Sequence, residues 1–360
     1  MFRLAAIVAL LLCLAHAAAA ERFDFPAKSP TGVGPEEASV LVVYSSIDID
    51  NARPLIAAFQ GERPETRVIY HDLQSVDLYD RILRETKEGG TTADIAISSA
   101  MDLQMKLAND GYAMQRWLPE ANVLPNWASW RDEVYGITFE PTVLVYHKPS
   151  FAEGGPPRTR ADLIALLERR DPKLFGRIAT YDPERSGFGL LVLARDVEHY
   201  PDFWRLVRLF GENGVKLYSS SAAIIDRVAR GKFVLGYNPL GSYAAERAAR
   251  EKDLGILLPE DYTVVFSRLA LIPKAARSPE MGAVFLQFLL SEKGQQTIAT
   301  RLRMNALHPR VTGPNTAGAL RAKLGSRLRP IPVGPGLLVY LDQAKRRRLL
   351  KRWNRALGGR

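Results

Sequence analysis

The hydrophobic pattern along the chain alternates between two kinds of segment. Short, continuous apolar runs rich in β-branched residues read as strands buried on both faces, and longer stretches with apolar residues every three or four positions read as helices. The first run, residues 40–46 (Val-Leu-Val-Val-Tyr-Ser-Ser), ends in an aromatic hydroxyl and two serines. A helical stretch follows over 50–60, with Asp48 and Asp50 as N-cap candidates. The pattern then predicts a strand at 66–70, a helix at 75–87, a strand at 93–98 and a helix at 101–109 broken by Asp110 and Gly111. Strand alternating with helix is the doubly wound α/β pattern. In such sheets, ligands sit beyond the carboxyl ends of the strands, where loops turn into helix N-termini. Two of these strands end in paired serines, so Tyr44, Ser45, Ser46, Ser98 and Ser99 are candidate ligand contacts.

After Trp117 the pattern changes. Two apolar runs, 135–139 and 142–147, are separated by Glu140 and Pro141, and the proline argues against a single central strand. A first crossover between two domains is expected here. A helix is predicted at 160–169 and a short strand at 176–180. Ser186-Gly187-Phe188-Gly189 opens the next helix, and a serine followed by glycines at a helix start suits an anion. Ser219-Ser220-Ser221 caps a helix at 222–230. The strand at 233–237 is read as ending at Asn238 and Pro239, and Gly241-Ser242-Tyr243 leads into a helix at 244–251. Tyr237, Asn238, Ser242 and Tyr243 therefore gather at one strand end. The run 262–273 is expected to return the chain to the first domain, followed by helices at 279–290 and 292–299.

A length of 360 residues suggests two domains rather than one core. The 47% hydrophobic and 24% charged fractions are those of a globular protein. The net charge is +10 and the pI about 9.6, with one dense cluster at 345–352 on a predicted amphipathic terminal helix. On sequence alone this helix reads as a solvated, docked surface helix, with contact to a membrane protein or lipid surface as the alternative, and no nucleic acid partner is expected. The N-terminus reads as a secretory signal: Arg3, an apolar run at 4–14, and small residues that favour cleavage after Ala20. The only cysteine, Cys13, lies within that signal. The mature chain is then expected to have no disulfide, thiol nucleophile or cysteine metal site.

No Gly-x-Ser-x-Gly elbow, His-Glu-x-x-His motif or P-loop occurs. His71, His147, His199 and His308 lie far apart, without helical metal spacing. No catalytic residue, metal site or cofactor is therefore expected, and the chain is not read as an enzyme. The recurrent feature is neutral hydroxyls and glycines at strand ends and helix starts, which binds a polar, anionic ligand and releases it.

In the order of these motifs the chain resembles periplasmic solute-binding proteins of ABC transporters, in the group of ferric-ion binders and binders of phosphorylated solutes, including the phosphoglycerate-transport type. The resemblance rests on the export signal, Val-Val-Tyr-Ser-Ser at 42–46, Thr92-Ala93-Asp94-Ile95 with Ser98-Ser99, and Leu144-Val145-Tyr146 after Glu140-Pro141. It rests also on the serine-glycine segment at 186–189 and on 236–243, and it spans roughly residues 38–312.

It implies two α/β lobes of the type II kind, each a doubly wound mixed sheet with flanking helices, closing on a solute. The expected division is a signal at 1–20, a leader at 21–37, lobe 1 at 38–143 and 263–312, lobe 2 at 144–262, and a basic helical extension at 313–360. Tyr44, Ser45, Ser46, Ser98 and Ser99 would be first-lobe contacts. Ser186, Gly187, Tyr237, Asn238, Ser242 and Tyr243 would be second-lobe contacts, with Glu140 beside the hinge. Iron binders of this group use two adjacent tyrosines near the second-lobe position, whereas here Ala244 follows Tyr243. The resemblance thus implies a monomeric periplasmic protein that carries a phosphate ester or phosphonate to a membrane permease. Iron binding, or signalling to a membrane sensor kinase, are the alternatives.

Overall fold

The computed structural model describes residues 21–28 and 39–358. The expected signal at 1–20 and most of the expected leader lie outside the described residues.

The first sheet begins with β1 (Glu21–Phe25), β2 (Val40–Ser45), β3 (Arg67–Asp72) and β4 (Ile95–Ser98), with α1 (Ile49–Glu62), α2 (Ser75–Lys87) and α3 (Met101–Asn109) as the connections. β2 runs parallel to both β3 and β4. Its apolar residues Leu41 and Val43 are wholly buried, as a strand covered by helices on both faces requires. β1 was expected to be part of a leader. It instead pairs antiparallel with β3 along all five residues, with Asp24 bonding Arg67, and closes the sheet edge. β5 (Ser129–Trp130) and β6 (Val134–Gly136) complete the other side of the sheet.

The second sheet opens with β7 (Glu140–His147). The elements that follow are α4 (Arg160–Glu168), β8 (Ile178–Tyr181), α5 (Gly187–His199), α6 (Phe203–Glu212), β9 (Lys216–Tyr218), α7 (Ser221–Ala229) and β10 (Leu235–Leu240). After these come α8 (Gly241–Ala248), β11 (Leu254–Leu257) and β12 (Thr263–Phe266). β10 does not stop at Asn238. It continues through a register shift to Leu240, and Asn238 takes φ +63°, a left-handed conformation that asparagine tolerates better than most residues. β13 (Leu269–Leu271) returns to the first sheet between β4 and β6, and α9 (Pro279–Leu290) and α10 (Glu292–Thr300) cover that sheet.

The sheet orders are β1-β3-β2-β4-β13-β6-β5 in the first lobe, and in the second β12-β7-β10-β8-β9, with β11 on the same edge of β7 as β12. The first two passages between the sheets are short segments, 137–139 and 267–268, and they are tied to each other. Ile137 N–H donates to the Arg268 carbonyl at 2.9 Å, and Arg268 N–H donates to Thr138 Oγ1 at 2.9 Å. The expected crossings at 143/144 and 262/263 therefore fall inside β7 and just before β12. Pro141 is accommodated because it sits at the start of β7 rather than in its middle.

The C-terminal segment is more than a helical appendage. After α11 (Ala317–Leu324), β14 (Leu328–Pro330) pairs parallel with β12 and extends the second sheet. A 3-10 turn at Pro335–Tyr340 lies against α3 of the first lobe, and α12 (Gln343–Ala356) packs on α6 of the second. Leu349 and Trp353 of α12 are buried in the second-lobe core with Phe203, Leu206 and Phe210. Among the described residues no helix is long and apolar enough to cross a membrane.

Candidate functional site

Where the two lobes face each other they enclose a small cavity of about 40 Å³, room for roughly three water molecules. Its walls are made almost entirely of helix starts. The first lobe presents Asp48, the N-cap of α1, Gln74 and Ser75 at the start of α2, and Ser99 just before α3. The second lobe presents Ser186 and Gly187 at the start of α5, Ser220 and Ser221 at the start of α7, and Leu240 and Tyr243 in the first turn of α8. Six helix N-termini thus converge on one space. Each brings unpaired backbone N–H groups and the positive end of a helix dipole. Side chains cap α5 and α7, with Ser186 Oγ accepting from Gly189 N–H at 3.0 Å and Ser220 Oγ from Ala223 N–H at 3.3 Å. At α1, α2, α3 and α8 the N-cap side chain accepts no such bond, although Asp72 accepts from Ile49 N–H at 2.9 Å and Asp102 from Leu103 N–H at 3.0 Å.

Two arginines add full charge. Arg185 stands exposed on the rim of the cavity. Arg268 is wholly buried at the second crossing. Its Nε donates to Glu140 Oε1 at 2.9 Å, and its guanidinium carbon lies 5.2 Å from the centre of the Tyr243 ring. Both terminal amino groups of Arg268 lack a partner. Desolvation works against its charge, but Glu140 and Tyr243 outweigh it and the pKa is raised, so the side chain is a cation. That charge is felt by Asp48, Tyr181 and Tyr243, all of which line the cavity.

Asp48 holds the lobes together. Its N–H donates across the cleft to Tyr243 Oη at 2.9 Å. Burial pushes its carboxyl pKa up, against the pull of Arg268. Beyond this bridge the cleft widens into a recess of about 330 Å³ bordered by Asp50, Asn51, Asp226, Arg247 and Arg301. At Gly187 the second lobe packs closely against the first. A Cβ there would stand 3.0 Å from Leu103 Cδ1 and 3.2 Å from Ala100 Cβ, both in the opposite lobe.

Of the candidates named from the sequence, the structure brings Ser46, Ser99, Ser186, Gly187 and Tyr243 to this cavity. It places the others elsewhere. Tyr44 packs under Arg81 at 4.3 Å and donates to Glu85 at 3.0 Å, because alternation along β2 turns it toward α2. Ser45 and Ser98 shape their own turns, accepting from Ile47 N–H at 3.0 Å and Ala100 N–H at 3.1 Å. Glu140 and Ser242 are buried and bonded to each other, and Glu140 holds Arg268. Tyr237 and Asn238 point into the second lobe, where both donate to Asp196, at 2.8 and 2.7 Å.

Asp48 and Ser219–221 were legible only as helix caps, and Gln74, Ser75, Tyr181 and Arg185 carried no distinctive pattern. Arg268 had a signal of its own: a lone cation inside the apolar run 262–273, where a charge is buried only with a purpose.

The bacterial extracellular solute-binding protein family model matches residues 55–306. The chain belongs to this family. A substrate-binding protein of an ABC transporter from Agrobacterium tumefaciens is 52% identical, with 94% of this chain and 98% of that one aligned and a TM-score of 0.90. The fold is shared more distantly with AfuA of Actinobacillus pleuropneumoniae, bound to fructose-6-phosphate (18% identity, 89% and 98% covered, TM-score 0.74). It is shared also with iron-bound HitA of Pseudomonas aeruginosa (18% identity, 89% and 99% covered, TM-score 0.70). A comparison with curated protein sequences gives no significant match. The chain is thus a two-lobed solute-binding protein of an ABC transporter, a class that works outside the cytoplasm and hands small solutes to a membrane permease.

Proposed function

We propose that the solute is a small organic anion carrying a phosphoryl or phosphonyl group, and that this group enters the cavity between the six helix N-termini. The observation that carries this reading is the convergence of those termini beside Arg268, whose two terminal amino groups are buried and unpartnered. A tetrahedral dianion has enough acceptor oxygens for the arginine fork and several backbone N–H groups together. The fold houses a sugar phosphate in one neighbour and iron in another, so the choice rests on this chain's own side chains. They disfavour a ferric ion. Tyr237 is engaged with Arg160 and Asp196. Burial raises the pKa of the Tyr243 phenol, which keeps its proton, and a buried guanidinium beside it repels a cation.

The cavity is sized for the anionic group alone, so the rest of the solute reaches the wider recess only when the Asp48–Tyr243 bridge gives way. The test is thermal melting of the refolded, dialysed protein against phosphoglycerates, hexose phosphates, aminoethylphosphonate, inorganic phosphate, dicarboxylates and ferric citrate. A solute at about 100 times its dissociation constant adds about 2.7 kcal/mol and moves the melt by several degrees. A shift with phosphate esters or phosphonates is expected. A shift with ferric ion or dicarboxylates alone overturns the assignment.

A further inference from the structure

Helix α12 carries seven cations and no acid, against a net charge of +10 for the whole chain. Elsewhere on the same lobe surface arginines are answered by carboxylates: Arg205 pairs with Glu168, and Arg170 and Arg208 with Glu212. Among the described residues, none of the seven α12 cations has such a partner. Their arrangement is not scattered. Leu349 and Trp353 hold one side of the helix in the second-lobe core. With 3.6 residues per turn, Arg347, Lys351 and Arg355 form one row on the opposite side and Arg348 and Arg352 the next. All five are exposed. Arg346 points another way, into a gap between the lobes that also borders Ser186 and Gly187. The basic face therefore runs about 12 Å along the helix axis, from Arg347 to Arg355, is rigidly mounted, and begins beside the rim of the solute cleft.

We propose that this face is a docking surface for an anionic phospholipid bilayer. A protein interface of ordinary kind has an aromatic or apolar core with few charges at its centre. On this face the helix's own apolar residues are spent on the second lobe, and the nearest aromatic, Trp204, is half-buried and covered by Arg352 at 4.3 Å. A row of exposed, like-charged side chains gains most from an extended plane of negative headgroups, to which each cation contributes. No side chain is free to insert, so the attachment is electrostatic, reversible and sensitive to salt. It would hold the cleft rim near the membrane in which the permease sits, without competing for the solute.

The test is sedimentation of the purified protein with vesicles of phosphatidylcholine alone and of an equal mixture of phosphatidylcholine and phosphatidylglycerol. Binding to the mixed vesicles at low ionic strength is expected, falling steeply once the Debye length drops below about 10 Å. Replacing three cations of one row (R347Q, K351Q and R355Q together) should weaken that binding roughly 100-fold. The melting temperature should stay unchanged, because these side chains make no ion pair with a described carboxylate. So should the solute-induced shift, which keeps this test separate from that of the proposed solute. Equal binding to both vesicle types, or an unchanged affinity in the triple variant, overturns the proposal. So does binding to the detergent-solubilised permease without binding to vesicles, which would assign the face to a protein partner.

Discussion

Among the described residues two arginines are wholly buried, and they are treated in opposite ways. Arg160, in the second lobe, has every guanidinium nitrogen bonded: Nε to Tyr237 at 2.8 Å, Nη1 to Asp261 and the Tyr262 carbonyl at 2.9 and 3.0 Å, and Nη2 to Asp196 at 3.0 Å. Its charge is neutralised by carboxylates within its own lobe. Arg268, at the crossing between lobes, spends only Nε and leaves two amino groups unmet. An unmet buried donor costs about 1–3 kcal/mol, more on a charged group. Burial alone therefore does not make two arginines alike. The balance of donors against acceptors separates them, since each guanidinium nitrogen is bonded at Arg160 and only Nε at Arg268.

The largest effect should come from breaking the satisfied arginine. Arg160→Met strands the Asp196 carboxylate in the core, where both partners are about 1% exposed. The expected loss is about 3–5 kcal/mol of stability, read by denaturant unfolding. If the variant melts like the parent, the Arg160 network is not structural. Arg268→Lys is the sharper test of the comparison. It keeps the charge facing Glu140 but removes the fork, so stability should barely move while solute affinity drops about 10- to 100-fold by calorimetry. An affinity equal to the parent's would show that the unmet amino groups do not meet the solute.

Gly187→Val tests whether the lobes must approach this closely. The added branch meets Leu103 and Ala100 across the cleft, so affinity should fall about tenfold. The solute-bound form should remain expanded in solution scattering, and full compaction of the variant would remove Gly187 from the closing contact. The last prediction concerns a buried carboxylate without a guanidinium bonded to it. Asp102 accepts from Leu103 N–H at 3.0 Å, and burial pushes its pKa up to about 7. A carboxyl whose pKa is higher folded than unfolded contributes stability that is full below the unfolded value, near 3.9, and is lost as pH rises through about 7. Asp102→Asn should therefore flatten the melting profile between those values and raise the melting temperature most at neutral pH and above. A variant whose profile keeps the parent's slope would contradict this.

Much of the fold was legible because its signals are local. The apolar run of β2, the capping serines of α5 and α7, and the strand–helix alternation all follow from backbone sterics and the period of each element. β1 escaped notice because Glu-Arg-Phe-Asp-Phe has the composition of an edge strand, half polar and stable only against β3. The site was legible as a kind of place rather than as a set of residues. Strand ends and helix starts were the correct neighbourhood, but Tyr44 and Ser46 lie two residues apart and only Ser46 reaches the cavity. Which way a side chain turns at a strand end depends on the loop that follows and on the helix packed behind it.

By itself, the sequence determined the two-lobed α/β class, the family, and the presence of many helix starts, several of them serine-capped, since each depends on residues adjacent in the chain. Only the tertiary structure decided that six of those starts meet in one cavity, that Arg268 stands beside them with two donors unspent, and that Tyr237 is a core residue. These facts depend on residues such as Glu140 and Arg268, 128 positions apart, being brought together. No local pattern encodes the balance of donors and acceptors in a space that two lobes make jointly.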